Sequence, residues 1–516
     1  AVDPTGWEPS WKSVFSHDDE IVQPGYHRMF LRNPGTWVEL TATDRVSFYR
    51  FRFTREEVTQ ILVNLGGHVS NSTMGNIDVR KVNDREVEGS FSSTNRFWGG
   101  PKEVKVFFVV QFDNPVTSLD GWRGRERLQD ITRIQGDSAG ISAKFAVRAG
   151  DLIKMKVAIS YTSIGNARNN LDAECSSWDF DAVRNETRQI WNEWLGKIEV
   201  KGGSVSDKIK FYTDLWHVLL GRQKINDVSG DYPDRTTGKR DGTFTDAVFK
   251  VKQLPKLGNG QLKYNMYSSD AFWLTQWNLN ILWGLGWPEV QDEMSASMVQ
   301  YADNGGLLPR GPCGGGYSYI MTGNPVVNLL GSTFQKGLMT KVDENHAFET
   351  MKRNQMPGGM LGSPGEVAFY IKNGWWKDNA GITIEATFQD WVVAQMALKQ
   401  GRRQDFNDFM KRSQGWKLCF DPTQKLLFPK DSLGRFIHHD PLNGEGWIEA
   451  NAWQATWGVS QDIPGLAALM GGNEMLCKRL NHAFEMAAPQ DFVFDYNDGF
   501  VSYANQPGVS NAHVFS

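Results

Sequence analysis

The stretch "WDFDAVRNETRQIWNEWLGKI" (Trp178–Ile198) divides the chain into two textures. Within it Val183, Ile190, Trp191, Trp194 and Leu195 recur at helical spacing, so it reads as a linker helix. Before it, "WVELTATDRVSFYRFRF" (Trp37–Phe53), "ILVNLGG" (Ile61–Gly67) and "VKVFFVVQF" (Val104–Phe112) are rich in β-branched and aromatic residues. "LIKMKVAIS" (Leu152–Ser160) alternates apolar and polar residues, as a half-buried strand does. No long helical pattern interrupts these runs, which favours an antiparallel sandwich over a parallel sheet. After the linker the pattern is helical. "KIKFYTDLWHVLL" (Lys208–Leu220), "VVNLLGSTFQKGL" (Val326–Leu338) and "TIEATFQDWVVAQMALKQ" (Thr383–Gln400) are examples, separated by glycine-rich breaks such as "GPCGGGYSY" (Gly311–Tyr319). Helices joined by short links pair as antiparallel hairpins, and no fixed repeat period points to a solenoid, so a closed helical toroid is expected. The predicted organisation is a β-sandwich over 1–176, a helical linker over 177–203 and a helical domain over 204–516.

Bulk properties narrow the function classes. With 516 residues, 40% of them hydrophobic and 22% charged, the chain is globular and long enough for more than one core. A net charge of −4 gives no basic footprint for nucleic acid or for an anionic membrane. No apolar run is long enough to span a bilayer. Cys175, Cys313, Cys419 and Cys477 are far apart and carry no metal-ligand spacing, so neither a disulfide framework nor a zinc site is expected. Twenty tryptophans are many for this length. Buried packing is the ordinary use of such rings, and stacking on the apolar faces of sugars is another.

Nucleotide-binding loops, HExxH and GxSxG are all absent. What stands out is carboxylates beside aromatics. Glu449 lies in "GEGWIEANAWQATW" (Gly444–Trp457), Glu385 and Asp390 in "GITIEATFQDW" (Gly381–Trp391), Asp270 in "MYSSDAFW" (Met266–Trp273) and Glu20 in "FSHDDE" (Phe15–Glu20). A helix cap or a buried ion pair is the ordinary role for each. Glu449 has a further feature: with Trp447, Trp453 and Trp457 around it, its carboxyl should be desolvated and hold a proton near neutrality. Departure of a sugar alcohol needs such an acid.

Several stretches resemble glycoside hydrolase family 92, the calcium-dependent exo-acting α-mannosidases. "FSHDDEIVQPGYHRMFL" (Phe15–Leu31) resembles the family's F-S-H-x-x-E-x-x-x-P-G-Y segment, and "VAISYTSIGNARNNLDAE" (Val157–Glu174) resembles its S-x-x-x-A-x-x-N-L-x-x-E signature. "GWIEANAWQATWGVSQDIPGLAALMGG" (Gly446–Gly472) resembles E-G-N-x-W-Q-Y-x-W-x-V-x-H-D-x-x-G-L-I-x-L-x-G-G. The resemblance spans about Phe15 to Phe515. It implies an N-terminal antiparallel β-sandwich, a helical linker and a C-terminal (α/α)6 toroid, with release of mannose from α-mannosides by inversion.

The resemblance also implies residue roles. Glu449 falls at the general acid, and Asn451, Trp453 and Gln454 shape its loop. "YANQPGVSNAH" (Tyr503–His513) falls where the family reads G-N-E-P-x-H-H, which places Asn505 and Gln506 at the Ca²⁺ ion and Gln506 also at the sugar. In "FWLTQW" (Phe272–Trp277) the family carries an aspartate where Leu274 stands; Trp273 and Gln276 are then the substrate-facing candidates, with Asn278 and Asp270 as possible substitutes for the aspartate. Gln461 stands at a usual histidine. The segment that carries the general base is expected beyond Ser516, and the family's opening strands before Ala1, so the chain reads as a piece of a family member. The expected partner is a mannose-containing glycan in the periplasm or outside the cell. A glycan-binding relative without turnover, a family hydrolase of altered sugar or linkage specificity, and a structural subunit are the alternatives.

Overall fold

A computed structural model describes residues 11–69, 72–96, 99–221, 223–238, 247–268, 272–492 and 498–515; of Leu274 only the backbone is described. The chain divides into two compact units. The first runs to Arg235 and takes in Phe249–Ser268 and Cys313–Gly315; the second holds the rest.

The first unit is built on two antiparallel sheets. In the larger, Ile21–Gln23, Tyr26–Leu31, Thr36–Ala42 and Val46–Phe53 form a meander. The sheet continues through Leu152–Ser160, Glu103–Phe112, Glu86–Thr94 and Ser72–Asn83 to Arg133–Gly136. The smaller sheet orders Glu126–Leu128, Ser118–Arg123, Ala139–Val147 and Glu57–Asn64. Phe108, Val110 and Phe112 from the first sheet and Ile141, Ala143 and Phe145 from the second bury against one another, which makes this a sandwich as the sequence texture predicts.

The alternation in Leu152–Ser160 holds, with one difference. Ile153 and Met155 face the sandwich interior. The opposite face is not solvated: helix α1 (Ile164–Glu174) and the start of α2 (Phe180–Leu195) cover it, packing Ala167, Leu171 and Phe180 on Phe48, Val109 and Ala158. Lys156 lies on that covered face and is 1% exposed. Its Nζ donates to the carbonyls of Cys175 (2.6 Å) and Ser176 (3.1 Å) and sits 4.1 Å from the Trp178 ring centroid. Two carbonyls and an aromatic face replace water there. In α2, which starts on the Asp179 side chain as N-cap, only Phe180 and Val183 are buried. Helix α3 (Val205–Leu219) carries a Ser204–Asp207 capping box.

The second unit is helical. It contains α4 (Leu279–Gly286), α5 (Pro288–Gly305), α6 (Pro325–Gln335), α7 (Glu344–Asn354), α8 (Pro364–Asn373), α9 (Ala380–Lys399) and α10 (Arg403–Ser413). After a long loop come α11 (Ala452–Ala455), α12 (Ile463–Met470), α13 (Asn473–Ala487) and α14 (Gln506–Ser510). Helix α9 is buried along most of its 20 residues and packs against α6, α7 and α10. A carboxyl in the buried length of such a helix has to be paired within the fold. Asp390, fully buried on α9, is accordingly paired. It accepts from Arg412 Nε (2.8 Å), the Tyr370 hydroxyl (2.7 Å) and Gln355 Nε2 (2.9 Å), joining α9 to α8, to α10 and to the residue after α7. This is the ion-pair role considered for Asp390 from the sequence.

Arg412→Met would leave the Asp390 carboxylate buried without its cation. Urea denaturation followed by helical circular dichroism is expected to show a loss of about 3–5 kcal/mol. The Asp390→Asn/Arg412→Met pair should lose clearly less than the sum of the two single changes, because the unpaired charge is gone.

Candidate active site

One cavity in the second unit brings two carboxyls together. Glu385 from α9 and Glu449 from the loop before α11 both line it, with walls from Trp273, Trp277, Trp447 and Asn505. The indole N–H groups of Trp273, Trp277 and Trp447 are buried without a partner among the described residues. The cavity measures about 50 Å³.

Glu449 sits in an unusual backbone conformation. Its φ is +48°, in the left-handed region that side chains other than glycine and asparagine rarely adopt. Asn505 holds it there: Asn505 Nδ2 donates to the Glu449 carbonyl (2.9 Å) and reaches its Oε2 (3.4 Å). Burial raises the carboxyl above its usual range, opposed by the Asn505 N–H. A non-glycine residue kept at positive φ by a neighbour's amide is backbone strain retained at a site.

The tryptophans around Glu449 differ from the local reading of the sequence. Trp447 lines the cavity. Trp453 packs instead on Phe500 (5.1 Å between centroids) and His482 (5.8 Å), beneath the Arg479 guanidinium. Trp457 is 1% exposed within the apolar core of Trp416, Leu427 and Leu466. Gln454 and Ala455 are the residues of α11 that line the cavity, and Gln454 Nε2 donates to the Gly499 carbonyl (3.2 Å). Desolvation of Glu449 therefore comes from Trp447 together with the distant Trp273 and Trp277.

Asn451 is fully buried and does not line the cavity. Its Oδ1 caps α11 by accepting from Gln454 N (3.0 Å), and its Nδ2 donates to the Gly499 carbonyl (2.9 Å). Asn505 Oδ1 accepts from Gln506 N (2.9 Å) at the start of α14. Gln506 is the first residue of that helix and is half-buried. Asp270 lies outside the described residues. Gln276 does not point at the cavity; it points at Glu385.

Glu385 is the residue that sequence spacing did not single out as functional. It is 4% exposed, and burial pushes its carboxyl up to about 8 against the N–H of Gln276. Gln276 Nε2 donates to Oε1 (3.2 Å) and Oε2 (3.1 Å), and Gln389 Nε2 donates to Oε2 (3.2 Å). Gln389 is fixed in turn: its Oε1 accepts from the backbone N–H of Asn324 (2.8 Å). Its amide also lies against Gly323, where φ is +70° and a Cβ would come within 2.5 Å of Gln389 Nε2. Arg310 pins the same loop, donating from Nε to the Gly323 carbonyl (3.0 Å) and from its terminal nitrogens to those of Met321 (2.8 Å) and Met360 (2.8 Å).

For calcium, the residues at hand supply hard oxygen donors, the Asn505 and Gln506 amide oxygens. Asn505 Oδ1 accepts one hydrogen bond and has a second lone pair. These are two of the six to eight oxygens Ca²⁺ takes. Among the described residues no group of three or more His, Cys, Asp or Glu is placed to hold a metal.

The family comparison is decisive. The model of the glycosyl hydrolase family 92 catalytic domain matches residues 166–516, and that of the family's N-terminal domain matches 2–160. The chain belongs to glycosyl hydrolase family 92. A relative from Arthroderma benhamiae, named an uncharacterized secreted glycosidase, is 19% identical over 98% of the family 92 chain and 68% of its own length. Two solved structures from Bacteroides thetaiotaomicron are similar to it. One is a family GH92 α-mannosidase, 23% identical, TM-score 0.85, covering 98% of this chain and 65% of that one. The other is a family GH92 inverting mannosidase, 23% identical, TM-score 0.83, covering 98% and 67%. The likeness shows the shared fold, a β-sandwich followed by a helical toroid, as the sequence predicts. The family 92 chain spans about two thirds of the length of these relatives. Among the described residues no helix is long and apolar enough to cross a membrane.

Asn451→Ala would remove both the α11 cap and the tie to Gly499. Thermal and urea unfolding are expected to show a loss of about 1–3 kcal/mol, with amide exchange quickening first around 498–505.

Proposed function

We propose that the family 92 chain carries the general acid of an inverting exo-α-mannosidase, and that the acid is Glu449. The observation that carries this reading is the Glu449 carboxyl, set at positive φ by Asn505 and turned into a cavity walled by Trp273, Trp277 and Trp447. Family membership and the named activities of the two solved relatives support it. A carboxyl raised by burial holds its proton more firmly than a free one and can pass it to the glycosidic oxygen as the bond to the anomeric carbon breaks. Inversion then needs a second carboxylate to activate water on the opposite ring face. Glu385 is unsuited to that task, because a carboxyl held neutral does not take a proton from water. The second carboxylate is assigned to no residue of this sequence.

The tryptophan walls offer flat apolar faces for a sugar ring and indole N–H groups for its oxygens. Trp273 and Gln454 line the cavity and would touch the sugar directly, whereas Gln276 would act through Glu385. Asn505 and Gln506 would hold Ca²⁺, whose role when bound is to engage sugar hydroxyls. The substrate proposed is a mannose-ended glycan met outside the cytoplasm, a setting supported by the relative named as secreted. A second reading, glycan binding without turnover, is favoured by Leu274, which stands where the family carries a sugar-contacting aspartate.

Assay of the full protein on aryl α-mannosides and on α-mannobiose decides between the two. Glu449→Gln is expected to lower kcat on mannobiose by about 10²–10⁴-fold and much less on an aryl glycoside whose leaving group needs no proton. Equal losses on both substrates would remove Glu449 from the acid role. Mannoside binding with no hydrolysis by the native protein would favour the binding reading. Chelation with EDTA should abolish turnover, restored by Ca²⁺; indifference to chelation would discard the metal.

A further inference from the structure

The hydrogen bonds around Glu385 constrain where its proton can go. Gln389 cannot reverse its amide, because its oxygen takes the Asn324 backbone N–H, which can only donate. Its Nε2 therefore faces Glu385 as a donor. Gln276 faces both Glu385 oxygens with its Nε2, and its Oε1 meets the Asn328 side-chain amide. Both protein neighbours of the carboxyl are thus donors. Oε2 receives two amide N–H groups and Oε1 one. Among the described residues no cation is paired with Glu385.

A fully buried carboxyl without a cation is most stable protonated. Its hydroxyl then needs an acceptor; Gln389 cannot present one, and Gln276 in this arrangement presents its Nε2. The remaining direction is the cavity that Glu385 lines. We propose that Glu385 is a specificity-determining residue that donates a hydrogen bond from its protonated carboxyl, through Oε1, to an oxygen of the bound mannoside, and that Gln276 and Gln389 are positioning residues that fix this donor. The inference rests on the mannoside reading above. It assigns Glu385 a role distinct from the acid and the base: it keeps its proton throughout.

The surrounding charges leave this role undisturbed. Among the described residues, the other ionisable side chain that lines the cavity is Glu449. Along α9, Asp390 follows Glu385 by five residues, and its carboxylate is taken up by Arg412 and Tyr370. Since Glu385 loses its proton only near pH 8, the donor is present at neutral pH and is lost above that value.

The test is calorimetric binding of methyl α-D-mannoside to the full protein across pH, with infrared detection of the protonated carboxyl. The association constant of native protein should be level below about pH 8 and fall by up to about tenfold per pH unit above it. Glu385→Gln keeps a donor that does not ionise. It should bind within several-fold of native at neutral pH, lose the alkaline decline and lack the titrating infrared band. Gln276→Leu should move the band's midpoint upward, by removing a hydrogen bond to the ionised form, a change that a merely structural residue would not make. Native binding level through alkaline pH, or an alkaline decline that persists in Glu385→Gln, would overturn the role of Glu385 and leave the mannoside reading standing. Absence of binding at every pH would overturn the mannoside reading and this one with it.

Discussion

Helix α9 carries two carboxyls, Glu385 and Asp390, and both lie in its buried length, out of reach of water. A polar group buried there has to find partners within the protein, because nothing else is in reach. That requirement organises much of the second unit. Asp390 draws Arg412, Tyr370 and Gln355 inward and thereby ties α9 to α10 and α8. Glu385 draws Gln276 and Gln389, and through them Asn328 and the Asn324 backbone.

The two carboxyls are five residues apart on one helix and end in opposite electrostatic situations. Asp390 has a guanidinium at 2.8 Å, so its charge is balanced within the fold. Glu385 has amides alone, which soften the cost of ionisation without cancelling it. A cation beside Glu385 would turn it into a second structural ion pair and put a fixed charge in the cavity. Neutral amides keep the site free of that charge, which suits a ligand that is itself uncharged. What distinguishes the functional carboxyl from the structural one is therefore the partner's charge, not the depth of burial.

Most of the architecture could be read from periodicity. The texture changes from strands to helices near where the sequence reading put it, though helix α1 (Ile164–Glu174) already precedes Trp178, and Leu152–Ser160 shows the two-residue alternation that its strand keeps. Lys156 looked like a solvated position by that same alternation. It is buried because α1 and α2 cover the outer face, and covering is a tertiary event that a strand's own pattern does not encode. The site was legible in one part only. Glu449 stood out because its apolar neighbours are adjacent in sequence, though Trp453 and Trp457 turn out to serve packing. Glu385 was visible as an acid beside aromatics but could not be separated from Asp390. Their difference lies in residues as far off as Gln276 and Arg412, and no spacing rule joins residues across such intervals.

Glu449 and Glu385 also differ in what holds them, and the difference fits the roles proposed for them. Glu385 stands on a rigid helix with its neighbours' amides locked, which suits a group that keeps one proton and one direction. Glu449 sits on a loop at positive φ, retained by a single asparagine whose amide reaches both its carbonyl and its carboxyl. An acid that must release and regain a proton needs solvent and some freedom of movement, which a half-buried loop allows and a buried helix does not. Because Asn505 also opens α14, the same side chain couples the setting of the acid to the segment proposed to bind metal. A change in the Asn505 amide's orientation would therefore reach Glu449 through its backbone as well as through its carboxyl.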